Sequence, residues 1–335
     1  MSRERGLSNT ERQRRRPASG GRSGDPHGGP APLPASTAAG FEVQAVPVTH
    51  SSRTMTPRPQ ETPASPPFHS WVSPDGSLWA SFHRVGDDIM LRFPGLADFM
   101  IAADGGSSAC WPVPDLAEAT REHLFLNQVL PLMLSQQGRP VFHGGAVETP
   151  AGAVAFLGRS GRGKSTLTAA FARAGNRFLT DDALLLEREG GDWSVLPSHP
   201  SIRLWDDSEA ALVGEEGTRA APVSFTSKAR LLAHGSLPHR AEPAPLVAAY
   251  LLGDGLAEQA RIAPLAGAAA FSVWAENGFL LDVEDRASLA RRLDEIAALV
   301  ERVPCFLLDY PRRYTDLDGV RRVILAHASS LGDRT

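Results

Sequence analysis

Two turn motifs divide the apolar residues between 68 and about 105 into short runs. The triplets Pro74-Asp75-Gly76 and Gly86-Asp87-Asp88 lie between these runs. Because proline, aspartate and glycine are the residues that tight turns prefer, the pattern predicts a small antiparallel sheet. Leucines at helical spacing then predict a helix over 115–137, with Pro131 as the position of a kink.

Strands and helices alternate from about residue 140 onward. The apolar run 153–157 is typical of a buried strand, and residues 166–174 place apolar side chains on one helical face. Gly175 is suited to ending that helix. Further segments predict strands over 141–143, 177–180, 184–186, 193–196, 247–252 and 305–308, and helices around 289–300 and 320–327. This alternation predicts an α/β domain over 138–330.

The first 67 residues differ in composition from the rest of the chain. They are rich in Pro, Gly, Ser, Thr, Ala and Arg, so they cannot bury enough apolar surface to offset the entropy of ordering. We therefore predict a disordered leader over 1–67 and a small β-rich subdomain with one helix over 68–137. The arginine cluster at 12–16 could contact nucleic acid or an anionic surface, although a solvated tail is the simpler interpretation.

Composition narrows the class of protein. The 335 residues are 42% hydrophobic, which is enough for a sizeable core, and two cysteines exclude a disulfide scaffold or a four-cysteine zinc site. A net charge of −4 argues against a nucleic-acid partner held by bulk charge. Because no long apolar run and no signal-peptide pattern is present, we expect a cytoplasmic protein without a membrane partner.

One motif carries most of the chemistry. Residues 158–165 read Gly-Arg-Ser-Gly-Arg-Gly-Lys-Ser, which matches G-x-x-x-x-G-K-[ST] between a predicted strand and a predicted helix. In such a loop the backbone N–H groups surround phosphate, Lys164 reaches the β- and γ-phosphates, and Ser165 contacts Mg²⁺. A glycine-rich turn without a ligand is the alternative. The predicted residues for ATP binding are Gly158, Ser160, Gly161, Arg162, Gly163, Lys164, Ser165 and Thr166.

Two adjacent carboxylates follow at the predicted end of the next strand. In an open α/β sheet ligands bind beyond the carboxyl ends of the strands, so Asp181 and Asp182 are placed to hold Mg²⁺ or accept a hydroxyl proton. The alternative is a solvated turn. His143 precedes two glycines at the predicted end of a strand. The next predicted strand leads into the glycine-rich loop 158–165, which we call the P-loop. His143 is a catalytic candidate or a structural hydrogen-bonding group.

Taken in order, these elements resemble the bacterial HPr kinase/phosphorylase superfamily and, more distantly, ATP-dependent phosphoenolpyruvate carboxykinase. The close match covers 141–187 and includes HGGAVETPAGAVAFLGRSGRGKSTLTAAFARAGNRFLTDDALLL. Looser similarity runs from about 70 to 325 through RFPGLADFMI, SIRLWDD and LLDYPRRY. The resemblance implies a P-loop kinase domain of the HPr kinase C-terminal type and an ATP- and Mg²⁺-dependent serine kinase of a protein or peptide.

The resemblance also implies roles for single residues. It makes Asp181 or Asp182 the catalytic base or the metal ligand, and His143 their partner. It makes Lys164 the phosphate contact and Ser165, with Asp182, the contact to Mg²⁺.

The chain departs from the family in two places. Thr166 stands where HPr kinases carry glutamate, and Ser201-Ile202-Arg203-Leu204-Trp205 stands roughly where they carry an E-I-R-G-x-G segment. These departures weigh against HPr as the acceptor. Resemblance to divergent relatives implies instead a precursor peptide of a natural-product pathway of the lasso type.

Cations after the carboxylates are further candidates. Lys228 and Arg230 could stabilise charge on a transferring phosphoryl group, or they are a solvated pair, and Arg203 is a weaker candidate of the same kind. Two other functions stay open: a non-catalytic nucleotide-binding switch or scaffold, and an HPr serine kinase/phosphorylase. The expected partner is a protein or peptide with an acceptor serine, and a homo-oligomer is left open.

Overall fold

The computed structural model of this chain describes residues 51–73, 75–214 and 217–332. All of them belong to one of the two units into which the chain divides, Val43–Thr335. Most of the predicted leader, residues 1–50, lies outside the described residues.

Six strands form an N-terminal sheet in the order β1-β6-β5-β4-β3-β2. The strands are β1 (Ser51–Thr54), β2 (His69–Val72), β3 (Leu78–Val85), β4 (Asp88–Phe93), β5 (Ala97–Ile101) and β6 (Ser107–Pro112). Along β4, Ile89, Leu91 and Phe93 are buried while the residues between them are partly exposed, so one face of the sheet packs on a core. Antiparallel pairing of β2 with β3 and of β3 with β4 confirms both predicted hairpins.

Ordered structure begins before the predicted boundary at residue 67. Strand β1 pairs in parallel with β6, and the Gln60 side chain donates from Nε2 to Asp98 Oδ1 at 2.8 Å. The predicted extent of the leader was therefore wrong. Strand β1 reads Ser-Ser-Arg-Thr, four exposed polar residues, and its position depends on backbone pairing that apolar periodicity does not report.

The predicted helix over 115–137 is present but interrupted. It consists of α1 (Glu118–Leu124), a π-helical segment (Phe125–Val129) and α2 (Leu130–Gln136). Pro131 lies in the first turn of α2, where its missing N–H is tolerated. The wider π turn before it takes up the distortion that we expected as a simple kink at Pro131.

Seven strands form the second sheet in the order β10-β9-β7-β8-β13-β15-β14, and β10 also pairs with the start of β13. The strands are β7 (Val141–Thr149), β8 (Gly152–Leu157), β9 (Phe178–Glu189), β10 (Asp192–Leu196), β13 (Ala244–Leu252), β14 (Arg261–Leu265) and β15 (Cys305–Asp309). Strands β8, β13 and β15 are mutually parallel, whereas β7 is antiparallel to both β8 and β9. A separate pair joins β11 (Ser201–Leu204) to β12 (Ala229–Leu232).

Helices cover both faces of the second sheet. They are α3 (Lys164–Arg173), α4 (Asp206–Leu212), α5 (Ala268–Glu276), α6 (Arg286–Arg302) and α7 (Leu317–Gly332). One core contains Phe171 of α3 and Ile324 of α7, and another contains Trp274 of α5 and Leu299 of α6. Because both faces are covered, β8 is apolar along its length, and the predicted mixed α/β architecture is confirmed. Within the described ranges, no helix has the length and hydropathy to cross a membrane.

Candidate functional site

The glycine-rich motif joins β8 to α3, the strand–loop–helix context that such a motif requires. Gly158, Gly161 and Gly163 have positive φ angles of 137°, 81° and 88°, which L side chains rarely adopt. The Lys164 ammonium folds over the loop and donates to the carbonyl oxygens of Gly158 at 2.6 Å and Arg159 at 3.2 Å. Burial lowers the pKa of Lys164 to about 8.

A cavity of about 720 Å³ opens above this loop. Nine of the predicted site residues line it: His143, Ser160, Gly161, Gly163, Lys164, Ser165, Thr166, Asp182 and Lys228. Three others do not line it: Gly158, Arg162 and Asp181. Strands, loop and helix therefore bring most of the predicted residues to one place, although they come from separate parts of the chain.

Asp181 and Asp182 lie inside strand β9, not at its end. Strand β9 continues to Glu189, so the predicted strand-end position of the two carboxylates was wrong. The apolar residues 184–186, which we predicted as a separate strand, continue the same strand. Asp181 is 5% exposed, which excludes a solvated turn.

The two carboxylates occupy different environments because successive side chains of a strand point to opposite faces. Asp181 Oδ2 accepts from the backbone N–H of Arg203 at 2.8 Å, and the Ser165 hydroxyl also hydrogen-bonds to this carboxyl group. Asp182 lines the cavity, and Arg203 Nη1 lies 3.3 Å from its Oδ2. Hence one carboxylate supports the P-loop and the other faces the cavity.

These environments move the two pKa values in opposite directions. Burial, aided by the adjacent Asp182 charge, raises the pKa of Asp181 above its ordinary value. Burial would also raise the pKa of Asp182, but Arg203 and then other cationic neighbours hold it below the ordinary value. Asp182 is therefore the ionised member of the pair near neutral pH.

His143 lies near the start of strand β7, so its predicted position at a strand end was wrong. It pairs with Ala183 of β9, and its backbone N–H donates to the carbonyl oxygen of Asn277 at 2.6 Å. The side chain lines the cavity and hydrogen-bonds to the backbone of Asp182. Because burial lowers the pKa of His143 to about 4, the imidazole is neutral near pH 7 and holds the strand that carries Asp182.

Three cations come from the β11–β12 part of the chain: Arg203 from β11, Arg230 from β12, and Lys228 from the loop directly before β12. Arg203 and Arg230 are directly opposite each other in the register, and Arg230 Nη2 lies 2.8 Å from His199 Nε2. Lys228 lines the cavity with its ammonium 4.9 Å from the ring centroid of Trp205. Burial lowers the pKa of Lys228, so neither this lysine nor Arg203 is a freely solvated cation.

Arg162 does not line the cavity, and its guanidinium forms an ion pair with Asp254. A contact of Arg162 with phosphate stays a prediction. Asp254 follows β13 in the chain, so this pair ties the P-loop to the neighbouring strand.

Sequence reasoning missed a polar chain beside α3. Thr166 Oγ1 lies 3.2 Å from Ser208 Oγ, which lies 3.0 Å from the hydroxyl of Tyr314. The Tyr314 hydroxyl donates to Asp207 Oδ2 at 2.9 Å. Tyr310 and Arg312 line the same end of the cavity, with the guanidinium 4.2 Å from the ring centroid. Of this group only Thr166 was a predicted site residue; Asp207, Tyr310, Arg312 and Tyr314 lie in the segments SIRLWDD and LLDYPRRY, whose similarity to the family assigned them no role.

Two groups of side chains in the lining differ in charge, and Asp207, Arg312 and Arg313 are charged lining residues outside both groups. The first, which we name the charged wall, consists of His143, Lys164, Asp182, Arg203 and Lys228. The second, the neutral wall, consists of Val72, Ser73, Trp79, Gln128 and Phe225. Sequence analysis identified every member of the charged wall and no member of the neutral wall.

Oxygen ligands suited to Mg²⁺ are present at the P-loop. The Ser165 hydroxyl and the Asp182 carboxylate both line the cavity, and such hard oxygen donors are the ligands that Mg²⁺ prefers. Over the described ranges, no group of three or more His, Cys, Asp and Glu side chains is arranged to hold a metal. Magnesium that arrives with a nucleotide needs only one or two protein ligands besides phosphates and waters, so these residues fit it.

Comparisons with known proteins give little guidance. No family model matches the chain, and no curated protein matches it. Among solved structures, the HPr(Ser) kinase/phosphatase from Coxiella burnetii is similar over 58% of this chain and 99% of its own, with 11% identity and a TM-score of 0.29. A likeness at that level carries no weight, so function has to follow from the site itself.

Proposed function

We propose that this chain is an ATP- and Mg²⁺-dependent kinase that phosphorylates a serine of a protein or peptide. One observation carries the proposal: Lys164 and Ser165 of the P-loop line the same cavity as the ionised carboxylate Asp182. A loop of this kind with a helix N-terminus behind it binds phosphate groups. A carboxylate facing the same space provides a proton acceptor for an attacking hydroxyl.

Sheet topology orients the nucleotide. Strands β9 and β15 lie on opposite sides of β8, the strand that leads into the P-loop. A proton acceptor must lie at the reacting phosphoryl group, so Asp182 on β9 marks the γ-phosphate end. The purine base of the nucleotide then lies at the other end, toward Tyr310 and Arg312. These two residues follow β15 and approach Gly163. An aromatic ring and a guanidinium are groups on which a purine can stack.

The chemical step is an in-line displacement at phosphorus. The serine oxygen of the acceptor forms a bond to the γ-phosphorus, the bond from that phosphorus to the bridging oxygen breaks, and ADP leaves. The hydroxyl proton passes to the Asp182 carboxylate. Lys164, Lys228 and Arg203 neutralise charge on the phosphoryl oxygens. Mg²⁺ bound with the nucleotide adds to that neutralisation.

Asp181 acts as a positioning residue in this scheme. It is buried behind the P-loop and hydrogen-bonds to the Ser165 hydroxyl. A hydroxyl that donates its proton to Asp181 keeps its lone pairs free for a metal ligand role. His143, neutral and bonded to the backbone of Asp182, positions the second carboxylate in the same way.

The acceptor and the cellular setting remain parts of the proposal. The resemblance named above favours a precursor peptide of a lasso-type pathway over HPr, and the phosphorylase direction is the less favoured alternative. A cytoplasmic location agrees with two buried free cysteines, Cys110 and Cys305, which a reducing compartment preserves. A homo-oligomer stays a prediction.

The proposal is tested by following labelled phosphate. The purified chain is incubated with Mg²⁺, γ-labelled ATP and three acceptors: HPr, casein and peptides encoded beside its gene. We expect label on serine that is lost in Lys164→Ala and Asp182→Asn and retained in Arg159→Ala, a control in the same loop. Tight ATP binding without transfer to any acceptor would contradict the kinase proposal and favour a nucleotide-dependent switch or scaffold.

A further inference from the structure

The neutral wall is a set of uncharged lining side chains that come from four segments of the chain. Val72 and Ser73 come from the end of β2 and the turn after it, and Trp79 comes from β3. Gln128 comes from the π-helical segment and Phe225 from the loop before β12. The wall therefore belongs mainly to the N-terminal sheet, while the nucleotide loop belongs to the second sheet.

Packing holds this wall in place. The rings of Trp79 and Phe225 lie 4.9 Å apart between centroids, and Phe93 packs on the other side of Trp79 at 5.4 Å. The loop that carries Phe225 is fixed by Thr120, whose Oγ1 accepts from the backbone N–H of Ser224 at 3.0 Å. A surface built from locked aromatic side chains loses little entropy when a ligand covers it.

Two apolar side chains in the lining of the cavity are exposed. Val72 is 61% exposed and Trp205 is 48% exposed. Exposed apolar groups beside a cavity gain free energy when a ligand covers them, and tryptophan is enriched at the centres of binding surfaces. A ligand with an apolar group would therefore fit these side chains best.

Gln128 adds a polar requirement. Its side chain lines the cavity, and its amide has no hydrogen-bond partner among the residues that the structure describes. A carboxamide has both a donor and an acceptor, so it matches the donor and acceptor of one peptide group. An apolar surface with one neutral amide therefore fits a peptide better than a charged small molecule.

The position of the neutral wall in the cavity favours contact with the substrate that accepts the phosphoryl group. Phe225 lies three residues before Lys228, and Lys228 interacts with the charge of Asp182. The neutral wall thus adjoins the γ-phosphate end of the cavity, whereas Tyr310 and Arg312 mark the opposite end. A substrate lying on this wall would present its hydroxyl to Asp182.

We propose that the neutral wall is the acceptor subsite and that it selects a peptide with an apolar residue next to the phosphorylated serine. This inference rests on the proposed kinase function. Burying a leucine-sized side chain removes apolar surface from water and so favours binding. An apolar neighbour should therefore improve kcat/KM by about tenfold or more over a charged one.

The test uses fluorescein-labelled decapeptides with one serine in a glycine–alanine background. Leucine, aspartate or lysine flanks the serine on both sides. Transfer is measured with γ-labelled ATP on the full chain, and binding is measured by anisotropy on serine-to-alanine peptides with Mg²⁺ and a non-hydrolysable ATP analogue. We expect the leucine peptide to be preferred by about tenfold in both assays.

Val72→Asp tests the wall itself, and Val85→Asp is its matched control. Both valines are exposed residues of the same sheet, so neither change should unfold the chain, and only Val72 lines the cavity. We expect Val72→Asp to weaken binding of the leucine peptide about five- to tenfold and to leave the KM for ATP unchanged. Phe225→Leu, which keeps an apolar group, should have a smaller effect in the same direction.

The outcomes separate the two proposals. Transfer to all peptides at equal rates, with Val72→Asp unchanged, overturns the acceptor subsite and leaves the kinase standing. Leucine-selective binding that Val72→Asp weakens, without transfer of label to any peptide, overturns the kinase and with it the acceptor role, and leaves the neutral wall as a peptide-binding surface only. Failure of every peptide to bind or react overturns the subsite.

Discussion

The two walls of the cavity are built on different principles. The charged wall places titratable groups where burial and neighbouring charges shift their pKa values: burial lowers the pKa of Lys164 and of His143, and Arg203 helps to hold the pKa of Asp182 below its ordinary value. The neutral wall holds rigid aromatic and aliphatic surface, with Trp79 fixed between Phe93 and Phe225. The first can stabilise developing charge, and the second can only select a ligand by shape and polarity.

This difference predicts that variants of the two walls affect different properties of the proposed kinase. Changes in the charged wall should reduce the rate of transfer for every acceptor. Changes in the neutral wall should alter the choice of acceptor and leave the use of ATP alone. Four further experiments test that division, beginning with the largest expected effect.

The adjacent carboxylates should respond differently to the same change. We expect Asp182→Asn to lower kcat by about 10²–10⁴-fold, because it removes the proton acceptor that faces the cavity. Asp181→Asn should lower kcat only about tenfold, because the amide oxygen still accepts a hydrogen bond behind the loop. Steady-state kinetics with γ-labelled ATP distinguish the two, and equal losses would contradict separate roles.

Lys164 tests the nucleotide side of the charged wall. Lys164→Ala should lower kcat/KM for ATP about 10²–10³-fold, since it removes a buried cation aimed at phosphate. Arg159→Ala should stay near wild type, because this exposed residue of the same loop contributes only its backbone carbonyl. Binding of a fluorescent ATP analogue and transfer of label are both measured. Unchanged nucleotide affinity in Lys164→Ala would place the nucleotide elsewhere.

Two histidines, the buried His123 beside Phe225 and the partly buried His199 beside Arg230, make the stability of the fold sensitive to acid. Burial lowers the pKa of His123 to about 3 and that of His199 to about 4. Unfolded histidines titrate near pH 6.5, so between pH 6.5 and about pH 4 the unfolded chain binds more protons than the folded one. Stability from these groups is therefore complete above pH 6.5 and lost as the pH falls.

His123 alone should account for a measurable part of that loss. We expect it to contribute about 2 kcal/mol to the fall in unfolding free energy between pH 7 and pH 5. His123→Asn should reduce the pH dependence by that amount, because asparagine does not titrate. Urea unfolding at both pH values measures the difference. Parallel curves for wild type and variant would show that His123 is not held neutral.

Trp205 should give the smallest effect, because it acts through Lys228. A cation over a tryptophan ring is worth roughly 0.5–1 kcal/mol at a partly exposed site. Trp205→Leu should thus lower kcat about two- to fivefold and should not change the KM for ATP. Lys228→Met in the same assay defines the full contribution of the cation. A loss in Trp205→Leu larger than that in Lys228→Met would contradict this assignment.

Local patterns predicted local structure well. The predicted hairpins formed by β2 with β3 and by β3 with β4 are present, because turn residues such as aspartate and glycine constrain the backbone within four residues. The P-loop was visible for the same reason, since its glycines, lysine and serine are consecutive. Strand β1 was missed because pairing with a strand more than 50 residues away places it, and its own residues are polar.

The carboxylate pair shows where local reasoning fails. A run of Thr-Asp-Asp predicted a strand end, because two charges inside a strand are costly unless they are paired or hydrogen-bonded. Strand β11 brings the backbone N–H and the guanidinium of Arg203 to these two carboxylates. That compensation comes from about 20 residues further along the chain, so no pattern around Asp181 reports it.

Most helices and strands of the second sheet and the glycine-rich loop could be predicted from local sequence, because backbone propensity and apolar periodicity act over a few residues. Which carboxylate faces the cavity and which supports the loop depends on tertiary packing. It alone also created the neutral wall, whose side chains come from residues 72 to 225. Contacts between residues so far apart depend on how the two sheets pack, and that packing leaves no signature in any single stretch of sequence.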